Sequence, residues 1–75
     1  MVFEKICEII AEKLEIDKSL ITKDSSFTDM KIDSLCMVEI MLSIEEDFNI
    51  TIDDTDNLDS VADLVFYVEN KLNNL

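Results

Sequence analysis

A chain of 75 residues with neither glycine nor proline is poorly suited to tight reverse turns. Two-residue hairpin loops place one or both central residues at positive φ, the conformation that glycine adopts without steric cost. Hairpin-based β structure is therefore disfavoured. What is left is a set of helices joined by polar connections, and the apolar periodicity agrees with that reading.

Phe3, Ile6, Cys7, Ile10 and Leu14 stand at offsets of 3, 4, 7 and 11 from the first of them. These are the offsets of one helical face. Glu4, Lys5, Glu8, Glu12 and Lys13 fall elsewhere on the wheel, so residues 2–15 are predicted as the first helix. The same spacing recurs at Val61, Leu64, Val65, Val68 and Leu72, which predicts a last helix from about Ser60 to Asn73. Ser60 or Asp59 can cap it, with Asp63 complementing the dipole in the first turn.

Between these helices, residues 16–33 lose the period. Asp17, Ser19, Thr22, Asp24, Ser25, Ser26 and Asp29 carry short polar side chains that compete with helical hydrogen bonds. A connection this long in a small domain needs anchoring. Ile16, Leu20, Ile21, Phe27, Met30 and Ile32 are the residues expected to pin it to the core, with a short helical turn near residues 17–20. Residues 34–48 are predicted as the second helix. Asp33 is the expected N-cap, and Asn49 is a stop that tolerates the left-handed conformation. Residues 50–52 are expected to be extended and 53–59 to hold one short turn. The predicted fold is all-α, a small antiparallel bundle of three or four helices with a long first loop, forming one domain over 1–75.

The second helix has two apolar stripes. Met37, Ile40, Met41, Ile44 and Phe48 gather within an arc of about 100° and match a core pattern. Leu35, Val38 and Leu42 form a second stripe rotated away from the first, edged by Glu39, Glu45 and Glu46. It either packs under the long loop or serves as a docking face.

Eighteen acidic residues stand against six lysines, a net charge of −12. That charge disfavours nucleic acid and anionic membranes, and it favours a basic protein partner met in a fast, salt-sensitive encounter. The apolar runs are too short and too interrupted to span a membrane. Cys7 and Cys36 form no disulfide framework, and no signal sequence is evident, so a cytoplasmic setting is expected. The acidic run Asp53-Asp54-Thr55-Asp56-Asn57-Leu58-Asp59 fails as an EF-hand, because its sixth position is Leu58 and its twelfth is Leu64.

There is no histidine. Ser34, between Asp33 and Leu35 at the start of the second helix, therefore lacks the base that usually activates a serine nucleophile. Taken alone it reads as a helix cap or as a residue to be modified. Cys36 reads either as an inert small residue or as a thiol activated by the helix N-terminus.

The whole pattern resembles the acyl carrier protein family. Asp24, Phe27, Asp29 and Met30 match the approach to that family's motif, Asp33-Ser34-Leu35 its centre and Val38-Glu39-Ile40 its continuation. Glu45-Glu46-Asp47-Phe48, then Ile50 and Ile52, match the close of the second helix. The resemblance implies a non-enzymatic carrier with a 4′-phosphopantetheine arm on Ser34, installed from coenzyme A by a phosphopantetheinyl transferase. It implies acyl cargo held as thioesters for fatty acid biosynthesis, with the acyl chain sheltered in the bundle. The expected partners are acyl transferases, synthases or ligases with basic docking patches, met by Asp33, Leu35, Val38, Glu39, Leu42, Glu45, Glu46 and Asp54 of a monomer. Several positions depart from the pattern. Lys31-Ile32 stand where many members have Gly-Ala or Gly-Leu, Cys36 where a carboxylate is frequent, and Asp53 where proline is common; the segment to Ser60 is also shorter. These departures leave open a carrier of an amino acid or a polyketide intermediate. From a different class, an unmodified acidic adaptor is the alternative.

Overall fold

A computed structural model describes residues 2–53 and 58–73. Three α-helices, α1 (Val2–Leu14), α2 (Ser34–Phe48) and α3 (Val61–Asn73), and one 3-10 turn at Lys18–Leu20 make up its regular structure. No strand occurs among the described residues; an isolated antiparallel bridge joins Ser26 to Ser60. The expected all-α fold is what these residues form.

The core is one cluster. Ile6 and Ile10 from α1, Ile40 and Ile44 from α2, and Val61, Leu64 and Val68 from α3 are fully buried. Each such side chain contributes about 1.5–3 kcal/mol over an exposed one. Ile9 and Ala11 are buried as well, outside the stripe expected for α1. The reason is position. α1 packs against both α2 and α3, so it needs a wider apolar arc than a helix with a single partner.

The long loop is anchored differently from the expectation. Ile21 and Phe27 are buried and Met30 and Ile32 pack partly against the core, but Ile16 and Leu20 face solvent. Backbone bonds replace them. The amide of Phe27 donates to the carbonyl of Asp59 at 3.0 Å, that of Val61 to Ser25 at 3.0 Å, and that of Ala62 to Lys23 at 3.0 Å. These join the loop to the start of α3 and satisfy α3 amides that would otherwise lack intrahelical partners. Ser60 caps α3: its Oγ accepts from the Asp63 amide at 3.3 Å, and the Asp63 carboxylate accepts from the Ser60 amide at 3.2 Å. This reciprocal pair is a capping box.

Among the described residues, three adopt positive φ: Glu15 (57°), Lys31 (59°) and Asn49 (55°). Each is followed by an isoleucine whose amide reaches back five residues. Ile16 donates to Ala11 at 3.1 Å, Ile32 to Phe27 at 3.1 Å, and Ile50 to Glu45 at 3.2 Å. This is the left-handed close of a helical turn that glycine usually supplies. It ends α1 at Leu14, one residue before the expected boundary.

Candidate functional site

The site is the N-terminal end of α2. The left-handed Lys31 closes the turn before it, Ile32 tucks partly against the core, and Asp33 enters extended at φ −84° and ψ 178°. The Asp33 carboxylate accepts from the Cys36 amide at 2.8 Å, and its carbonyl accepts from the Met37 amide at 2.9 Å. Asp33 is thus the N-cap. Ser34 is the first helical residue, exposed to solvent. The reading of Ser34 as the cap is excluded, since its neighbour holds that position. Its hydroxyl stands at the positive end of a 15-residue helix, where backbone amides and dipole favour an anion such as a phosphodiester. An arm joined to the protein through a phosphodiester would fit here: Ser34 is exposed, and the capping bond does not use its hydroxyl.

Cys36 is half-buried. Burial first, then the charges of Asp33 and Glu39, push its thiol above the ordinary value, against a smaller opposing effect of Lys13. The direction is opposite to the activation that a helix N-terminus favours. Cys7 is buried in the core, and burial raises its thiol too.

Beyond Ser34, the second stripe of α2 lies open. Leu35 is 70% exposed, Val38 53% and Leu42 54%. For residues of this size that is a row of uncovered apolar surface, so packing under the loop is ruled out. Glu39 and Glu46 are exposed beside it. Glu45 is not a simple rim charge. It is half-buried, and its Oε2 accepts from the Ile52 amide at 2.6 Å. Asp54 lies outside the described residues. Met37, Val38, Met41, Leu42, Glu45 and Ile52 line a shallow apolar groove of about 230 Å³.

One group of residues was missed by sequence reasoning. The Tyr67 hydroxyl donates to the Asp53 carboxylate at 2.6 Å and accepts from the Asp53 amide at 3.2 Å. Lys71 Nζ lies 3.5 Å from the other Asp53 oxygen and 5.6 Å over the Tyr67 ring. The available signal was Asp53 at a position where proline is common, together with a tyrosine off the core stripe of α3.

A small helical scaffold presents one accessible hydroxyl at a helix start, beside an uncovered apolar stripe edged by carboxylates. These features suit a protein that is modified at that hydroxyl and docks other proteins on that stripe. Comparison with known proteins makes the class specific. Residues 4–68 match the family model described as phosphopantetheine attachment site. The acyl carrier protein of Streptococcus pneumoniae is 46% identical over 68 residues, covering 91% of this chain and 92% of that protein. The acyl carrier protein of Lactococcus lactis is 41% identical over 69 residues, covering 92% and 94%. That of Rickettsia canadensis is 42% identical over 71 residues, covering 91% and 83%. The chain belongs to the acyl carrier protein family. It is a phosphopantetheine-dependent acyl carrier and not an enzyme.

Proposed function

We propose that Ser34 is the residue that bears the 4′-phosphopantetheine arm, and that the chain carries acyl intermediates of fatty acid biosynthesis. The observation that carries this reading is the division of labour at the start of α2. Asp33 caps the helix through the Cys36 amide at 2.8 Å, which leaves the Ser34 hydroxyl exposed and uncommitted to the fold. When attached, the arm supplies a terminal thiol that holds acyl groups as thioesters. The protein's own residues position that thiol and present it to partners. The N-terminus of α2 stabilises the phosphodiester, and the Asp33 charge beside it opposes that effect.

Leu35, Val38 and Leu42, with Glu39 and Glu46 beside them, form the face that meets the phosphopantetheinyl transferase and the acyl-handling enzymes. An apolar stripe edged by carboxylates suits a basic patch with an apolar centre, and the net charge of −12 speeds the encounter. Glu45 contributes to the shape of this face through Ile52 more than as a charge. Two unpaired thiols fit the reducing cytoplasm. No helix among the described residues is long and apolar enough to cross a membrane.

Incubation with a promiscuous phosphopantetheinyl transferase and coenzyme A, followed by intact-mass spectrometry, tests the assignment. One arm's mass is gained by the wild type and none by Ser34→Ala. A gain that survives Ser34→Ala would overturn it. Glu39→Lys is expected to slow modification and to flatten its dependence on salt.

A further inference from the structure

The apolar groove beside α2 has an uneven construction. Met37, Val38, Met41, Leu42 and Glu45 all belong to α2, and among the described residues Ile52 is the one lining residue outside a helix. At about 230 Å³ the groove is smaller than the roughly 300–1,000 Å³ of ordinary small-molecule sites. An extended acyl chain therefore requires one wall to move. A helix face is held by its own backbone bonds and by the core, so Ile52 is the wall that can yield.

Among the described residues two tethers hold it. The Ile52 amide donates to Glu45 Oε2 at 2.6 Å, on the α2 side. On the other side the next residue, Asp53, is gripped by α3. Its amide donates to the Tyr67 oxygen at 3.2 Å, Tyr67 donates to its carboxylate at 2.6 Å, and Lys71 approaches that carboxylate at 3.5 Å. A proline at position 53 would offer neither the amide hydrogen nor the carboxylate, so this second tether depends on the residue that departs from the family pattern.

We infer that Asp53, Tyr67 and Lys71 form a clasp that sets how far Ile52 stands off α2 and thereby controls entry of an acyl chain into the groove. The inference rests on the acyl-carrier reading above. The Tyr67 hydrogen bond first, and then the Lys71 charge, hold the Asp53 carboxyl below the usual range, so the clasp is set in its charged form at neutral pH. Its parts are partly or fully exposed: the Asp53 side chain is 66% accessible and that of Lys71 36%, and Tyr67 is half-buried. A contact of this kind is strong enough to bias a loop and weak enough to open.

The clasp is tested with Tyr67→Phe, which removes the hydroxyl and keeps the ring, and with Asp53→Ala. In the unmodified protein, amide hydrogen exchange at Ile52 is expected to rise about threefold to fivefold in either variant, the scale of one lost exposed hydrogen bond. The double variant should add little, because both changes break the same contact. Core amides at Ile10 and Ile44 should keep their protection, which shows that the fold is intact. The protein is then loaded with butanoyl or dodecanoyl groups on the arm, and thioester cleavage by hydroxylamine is timed. Loosening the clasp is expected to slow cleavage of the dodecanoyl form about threefold, the same exposed-bond scale, and to leave the butanoyl form unchanged. Unaltered exchange at Ile52 in both variants would overturn the clasp. Faster exchange with no change in dodecanoyl cleavage would overturn its control of the groove. Failure of the carrier reading shows itself separately, as a protein that gains no arm, while the exchange measurement still decides the clasp.

Discussion

Replacing Lys31 with glycine should make this protein more stable, although it removes a side chain and adds flexibility. Lys31 sits at φ 59°, in the left-handed region, where it closes the turn that delivers Asp33 and Ser34 to the head of α2. A β-carbon in that conformation costs roughly 1–2 kcal/mol, and glycine does not incur it. Glycine also widens the unfolded ensemble, which returns about 0.4–1 kcal/mol of that gain. The balance favours glycine by about 0.5–1 kcal/mol. For a domain of this size that is a rise in Tm of about 2–8 °C. Thermal unfolding followed by far-ultraviolet circular dichroism measures it, with Lys31→Ala as the control for loss of the exposed ammonium group. Two further variants sharpen the test. Glu15→Gly, at φ 57°, should gain a similar amount. Asn49→Gly, at φ 55°, should gain less, because asparagine tolerates the left-handed region better than glutamate or lysine. If Lys31→Gly is no more stable than Lys31→Ala, the cost assigned to that backbone position is wrong.

Other expectations follow from the same geometry. Asp33→Ala removes the N-cap of α2 and should cost about 1 kcal/mol, whereas Ser34→Ala should stay within about 0.5 kcal/mol of wild type while gaining no arm. Equal losses of Tm in the two would contradict the assignment of the cap. Ile44 is fully buried, so Ile44→Ala should cost about 2–5 kcal/mol and Ile44→Val about 0.5–1.5 kcal/mol, measured by urea unfolding. The Cys36 thiol is raised above the ordinary 9.0 by burial and by the Asp33 and Glu39 charges. Its alkylation in the folded protein should therefore lag behind that of a free thiol at every pH below that value and reach half-maximum above it. A midpoint below 9.0 would mean that the helix N-terminus wins after all. The lowered Asp53 carboxyl adds stability that is complete above the unfolded carboxylate value and disappears as pH falls through its folded one. That acid-side loss should be smaller in Tyr67→Phe.

Much of this molecule was legible in local patterns. Offsets of three, four and seven place α2 and α3 within a residue of their observed limits, because an amphipathic face records which side meets a core. The capping role of Asp33, a cap of α3 at Ser60 or Asp59, and the left-handed stop at Asn49 were legible because a cap uses only residues within one turn of the chain. The long loop was less readable. Ile16 and Leu20 have apolar side chains and still face solvent, since the loop is anchored by backbone bonds from Phe27, Val61 and Ala62 that involve no particular side chain. The burial of Ile9 and Ala11 was missed for a related reason. A single-helix wheel shows one stripe and not the number of neighbours a helix will have.

The order of residues alone determined that this chain is helical, acidic and without a histidine base. It also placed a serine beside a capping carboxylate at the head of α2. Those properties depend on neighbours within a few positions, and on charge, which sums regardless of shape. Only the folded chain decided that the Leu35, Val38 and Leu42 stripe stays uncovered, that Glu45 turns to hold Ile52, and that Asp53 meets Tyr67 and Lys71 across fourteen and eighteen positions. Contacts of that separation arise when packing of the core brings helix ends and loops together, and no local spacing encodes them.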